Sequence, residues 1–448
     1  MGGVTLSRWT MSYFAAALAA LILAEGLMAA GYGYPAAALA APETLILVHI
    51  VAIGWLSLLM CGALFQFVPV LIARPLHDDS LPLPALVCLV TGLVALVLGF
   101  LQLAGQGLPD VPVFPLAAGL LGTGFGLTVW DLGRTLWAAR PLPLPARFVA
   151  MGLFSIAATA IFGIVFALVF GNVTVYPHFI DMAAMGLPIH AIAGLGGWLT
   201  FTAMGVSYRL LAMFMLAPEL DRVTTRSVLY AGALALALVI LGGTAAICFG
   251  GDVMGIIGAG GLVGLGALAL YGRDVLHLYR ARKRRTIELN SRVAAVALAN
   301  LGATVLMAVV LLALGAFARD IAAPVFLLAF GWLSGLGLGK LYKVVAFLTW
   351  LEGYGPVLGK TATPRVQDLV VENRAMKWFA LYFLAVWSAT AALLLGWPAA
   401  FQGACLIMMI ATGGIIVQLV RTRTLADVQA SLRCPAGVRQ PRLLLSRT

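Results

Sequence analysis

Histidine is scarce in this chain, five in 448 residues, and their positions decide what chemistry is open to it. His49 and His190 each fall inside a long apolar run, close to its start. His178 lies shortly before the second of these runs, in Tyr176-Pro177-His178-Phe179. His77 and His277 fall in polar or basic stretches and are expected to be solvated. Burying a polar side chain in hydrocarbon is costly unless it is partnered, so an intramembrane imidazole is a functional candidate by default. Imidazole is also the commonest metal ligand and a usual axial ligand of haem. His49 and His190 are therefore candidate cofactor ligands, with His178 a possible further metal ligand. The competing expectation for each is a ring that only hydrogen-bonds a main-chain carbonyl or a neighbouring Ser or Thr. One acid joins them. Glu25, near the middle of the first apolar run, can serve a proton path or simply satisfy a helix contact. Asn300 and Asp131 are weaker candidates, and Asp131 is expected to pair with Arg134. No phosphate-binding loop, dinucleotide fingerprint, serine-nucleophile elbow or HExxH zinc motif is present.

The elements that position these residues follow from composition. Hydrophobic residues make up 62% of the chain and charged ones 10%, with a mean hydropathy of +1.04. A bilayer core of roughly 30 Å takes about 20 apolar residues to cross as a helix. Twelve runs reach that length: about 10–31, 44–73, 82–104, 113–137, 148–170, 184–216, 226–250, 253–279, 291–317, 321–350, 375–396 and 398–420. The first is too long for a secretory leader and has no clear cleavage site, so it is read as helix 1.

The net charge of +11 is unevenly placed. If the chain crosses twelve times, Arg8, Arg74, Arg134, Arg140, Arg147, Arg222, Arg226, the cluster 280–285, Lys360, Arg365, Arg374 and the tail from Arg421 to Arg447 share one side. Alternate loops carry almost no Lys or Arg. By the positive-inside rule both termini are cytoplasmic, in a cell membrane and most simply a bacterial inner membrane. The 280–285 cluster reads as a juxtamembrane loop with at most anionic-lipid contact, not as a nucleic-acid site. The five cysteines show no CxxC spacing, so neither a disulfide framework nor a zinc site is indicated.

One phrase recurs three times, in helices 2, 6 and 10. It reads Gly54-Trp55-Leu56-Ser57 with Gly62, Gly197-Trp198-Leu199-Thr200 with Gly205, and Gly331-Trp332-Leu333-Ser334 with Gly339. The copies start 143 and 134 residues apart. A repeat every four helices returns the chain to the same face. The fold class is thus an all-α membrane protein of three parallel four-helix repeats with pseudo-threefold symmetry. The quartets are 1–140, 141–285 and 286–420, followed by a basic cytoplasmic tail, 421–448. Helices 2, 6 and 10 are the longest. Glycines at this spacing read as a helix-packing signature. Phe65-Gln66, Tyr208-Arg209 and Tyr342-Lys343 follow the second glycines, and Gln66, Arg209 and Lys343 are expected to snorkel to water. His49 precedes its Trp by six residues and His190 by eight, so the two are not symmetry equivalents.

Twelve helices in three quartets, inside termini and outer-side histidines on helices 2 and 6 resemble subunit I of the haem–copper oxidase superfamily. In that family helix 2 supplies a low-spin haem ligand and helix 6 a copper ligand. The resemblance implies those roles for His49 and His190. It also sets a limit. The family's helix 10 carries the histidines that hold both haems, and here helix 10 has none; helix 7 also lacks the histidine pair that follows the copper ligand. An oxygen-reducing binuclear centre is therefore not expected. The NnrS-type group of haem- and copper-containing membrane proteins, linked to nitric-oxide stress, is a similar scaffold with few outer-side histidines. The expectation is a degenerate, oxidase-like membrane protein binding haem, copper or both, open to a periplasmic cytochrome or copper protein as partner. The competing expectation is a cofactor-free multipass transporter or accessory subunit, which would show broken helices and buried charges.

Overall fold

The computed structural model describes residues 7–106, 111–435, 437–438 and 440–446. Part of the loop Gly105–Pro112, and Arg447 of the basic tail, lie outside the described residues. Every regular element among the described residues is helical, as it must be where only helices and closed barrels satisfy the backbone in lipid. Among the described residues, twelve helices are long and apolar enough to span a membrane. They are α1 Thr10–Ala29, α2 Pro42–Ile72, α3 Pro82–Leu103, α4 Val113–Ala138, α5 Leu144–Phe170, α6 Leu187–Met215, α7 Val223–Phe249, α8 Val253–Arg280, α9 Leu289–Ala313, α10 Ala322–Val357, α11 Glu372–Leu395 and α12 Pro398–Arg423.

The phrase-bearing α2, α6 and α10 are the longest, at 31, 29 and 36 residues. They are also the most enclosed, with 61%, 61% and 83% of their most apolar stretch buried against at most 50% elsewhere. Helix α10 continues past residue 350, where the hydropathy pattern stops, because Tyr354 and Val357 remain buried.

The chain forms two compact units. One holds Ala63–Thr286. Its core includes Phe162, Ile189, Val239, Ala246, Ile247 and Val253, from α5 to α8. The other holds residues 7–62 and 287–446. There Tyr354, Leu369, Leu425 and Val428 pack together, so the residues after α12 form a cap on α10. Ser446 N donates to Arg8 O, which brings the chain end back to the start of α1.

The repeated phrase is a packing device in both units. A Cβ on the second glycine would lie 2.6 Å from Tyr13 Cβ at Gly62, 2.2 Å from Phe148 Cβ at Gly205 and 2.5 Å from Val293 Cγ1 at Gly339. In each case the phrase helix is seated on the helix that precedes it: α1, α5 or α9. The aromatic that follows, Phe65, Tyr208 or Tyr342, is buried each time.

Sequence periodicity does not show that all three phrases fall in π-helical stretches. These are Ile50–Ser57, Ile192–Phe201 and Leu327–Ser334. Here the main-chain bonds reach back five residues, as in Leu58 N to Ile53 O and Gly335 N to Phe330 O. A fourth stretch, Leu238–Gly242, interrupts α7. Such stretches are rare and frequently mark functional positions in helices.

Candidate functional site

A π-helical stretch disturbs the carbonyl ladder, and in a lipid-facing protein the affected carbonyls need side-chain donors. In α10 they are supplied in sequence. Ser334 Oγ donates to Ala329 O at 2.7 Å, Tyr382 Oη to Phe330 O at 2.9 Å, and Asn300 Nδ2 to Gly331 O at 3.1 Å. Asn300 Oδ1 in turn accepts from Trp387 Nε1, at 3.1 Å. The first phrase joins this network, since Trp55 Nε1 donates to Ser334 Oγ at 2.7 Å. Trp55, Ser334 and Tyr382 are all fully buried. Asn300 is thus the clamp of the α10 π-helix, a role its sequence position alone did not reveal.

Glu25 lies in the same unit, in the last quarter of α1 and not at its middle, and is fully buried. Its Oε1 accepts from Thr412 Oγ1 of α12 at 2.9 Å. Its Oε2 is buried with no hydrogen-bond partner.

His49 is in the first turns of α2, half-buried, with Nδ1 2.7 Å from Leu45 O one turn back. His190 begins α6 just after Pro188 and faces α5. Its Nδ1 is 3.1 Å from Thr159 O, and its ring sits 5.3 Å from that of Phe166. Gly163 of α5 leaves room beside the ring, for a Cβ there would lie 3.5 Å from His190 Cε1. A carbonyl can only accept, so Nδ1 carries the proton in both residues and Nε2 is the basic nitrogen. That is the tautomer of a metal-ligating imidazole held by its outer hydrogen bond. Either imidazole could hold a metal through Nε2. A copper centre of three protein donors finds no support among the described residues, where no group of three His, Cys, Asp or Glu side chains converges.

His178 is placed in a helix, Pro177–Met185, and not in a loop; Pro177 at its first position favours that start. The ring is exposed and meets Tyr176 edge-on at 5.5 Å.

Other expectations change with the tertiary contacts. Asp131 Oδ1 accepts from Asp78 N at 2.9 Å, while Arg134 lies over the Trp130 ring. His77 is exposed, as expected, but His277 belongs to α8 and is half-buried, its Nε2 enclosed. Gln66 is buried instead of snorkelling. Lys343 is ion-paired with Glu288 at 2.8 Å, each side chain under 20% exposed. Arg209 does reach the surface, paired with Glu219.

The sequence pattern offered no signal for two further buried polar clusters. Asp274 accepts from Thr224, Thr225 and Tyr208 at 2.8–3.0 Å, tying α6, α7 and α8 together. Arg423 pairs with Glu352 at 2.6 Å and contacts Thr349 Oγ1 and Leu445 O. No protein-family model and no curated protein matches the chain.

Proposed function

We propose that this is an integral membrane haem protein on a scaffold like that of oxidase subunit I, with His49 and His190 each a residue that could hold haem iron, and without an oxygen-reducing centre. The observation that carries this reading is the pair of carbonyl-anchored imidazoles. Leu45 O and Thr159 O accept from Nδ1 of each ring, which makes Nε2 the nitrogen whose lone pair a metal would take. Bound haem would supply one-electron or gas-ligand chemistry. The residues of the chain would contribute ligation and ring orientation. The three-quartet arrangement belongs to the same proposal and is supported by the matching seats of Gly62, Gly205 and Gly339.

An absorption spectrum of the purified protein tests it. A Soret band that is lost or shifted in His49→Ala or His190→Ala is expected. Protein that is colourless after expression with ample haem supply would overturn it, and copper by elemental analysis without haem would redirect it to a copper site. A second reading, a cofactor-free transporter, is favoured by the π-helical interruptions of α2, α6, α7 and α10. Colourless protein whose histidine variants behave as wild type supports that reading.

A further inference from the structure

The carboxyl of Glu25 is held on one side only. Thr412 satisfies Oε1, and Oε2 is buried without a hydrogen bond. The elements packed on α1 are α2 and α12. The register set by Gly62 against Tyr13 brings Glu25 level with about residue 50 of α2. The ionisable groups of α2 near that level are Glu43 and His49, and His49 Nδ1 is engaged by Leu45 O. On α12, Cys405 is buried in the field of Glu25, and the cations Arg421 and Arg423 are at the far end, paired with Asp427 and Glu352. On α11, which packs on α12, Tyr382 is the titratable group in that field. Glu372, Arg374 and Lys377 occupy its first turns. No ion pair to Glu25 occurs among the described residues.

A carboxylate in such a place, with one hydroxyl for solvation, would forfeit most of its hydration without an ion pair in return. Neutralisation by a proton is the cheaper outcome. We infer that Glu25 is an intramembrane proton-binding site, a neutral carboxylic acid with its proton on Oε2, enclosed between α1, α2 and α12 and held on its other oxygen by Thr412. The ligand class is the proton itself, and the inference stands whether or not haem is bound.

Two measurements on the full chain in lipid test it. Infrared spectroscopy at near-neutral pH should show the carbonyl band of a protonated carboxylic acid, shifted in heavy water, altered in Thr412→Val and lost in Glu25→Gln. A hydrophobic carbodiimide, which adds to protonated carboxyls in apolar surroundings, should label Glu25 of the unmodified protein, read by mass spectrometry. That second readout holds even if Glu25→Gln fails to fold. Absence of both the band and the label would overturn the proposal. Protection of Glu25 from labelling by sodium ions at fixed pH would also overturn it, in favour of a metal-cation site.

Discussion

At the scale of single residues, a polar group in this interior is defined by what answers it. Asn300 answers two groups, Gly331 O and Trp387 Nε1, at 3.1 Å each. Asn300→Ala would take the side-chain donor from the buried Gly331 O and the acceptor from Trp387 Nε1, at a cost of about 1–3 kcal/mol, set mainly by the buried carbonyl. Thermal unfolding in a mild detergent should show the loss, and Asn300→Leu should be no better, since it restores volume and not the bonds. Asp427, outside the spans, faces the opposite balance. Burial alone would raise its carboxyl, but the Arg421 and Arg374 guanidiniums overcome this and hold it below the usual carboxylate range. With the folded value below the unfolded one, its contribution to stability is complete above the unfolded value. That contribution is lost as pH falls through the folded value. Wild type should therefore lose melting temperature on acidification more steeply than Asp427→Asn, whose curve should be flatter and lower at neutral pH.

At the scale of elements, the phrase in α2, α6 and α10 sets how closely each helix approaches the one before it. A methyl added at Gly205 would fall 2.2 Å from Phe148 Cβ, on a helix with little room to yield. Gly205→Ala should cost about 1–3 kcal/mol through overpacking, seen as a lower melting temperature. Gly119→Ala of α4 is the control, because no atom lies within 4 Å of its added methyl, and it should be near neutral. The glycine spacing made the close approach legible in advance. The π-helical stretch of α10 was not legible, because the side chains that answer its carbonyls come largely from other helices. Asn300 and Tyr382 come from α9 and α11, dozens of residues distant in sequence.

At the scale of the whole molecule, the distribution of basic residues is a statement about sidedness. Placing the chain ends in the cytoplasm predicts that the exposed Cys434 reacts with a membrane-impermeant maleimide in inside-out vesicles and not in intact cells. Reaction in intact cells would reverse the orientation.

Run length and composition alone determined twelve apolar helices and singled out α2, α6 and α10, because hydrophobic length is a local property that a bilayer reads directly. They also named His49, His190 and Glu25, because a polar residue in an apolar run stands out without any fold. Only the tertiary structure decided what those residues touch. It seated His190 on α5, gave Glu25 one hydroxyl partner, sent Asp131 to Asp78 in place of Arg134, and enclosed Gln66. The physical reason is that hydrogen bonds in a low-dielectric interior are made by neighbours in space. Those neighbours were set by glycine contacts and helix register between segments that the chain order does not bring together.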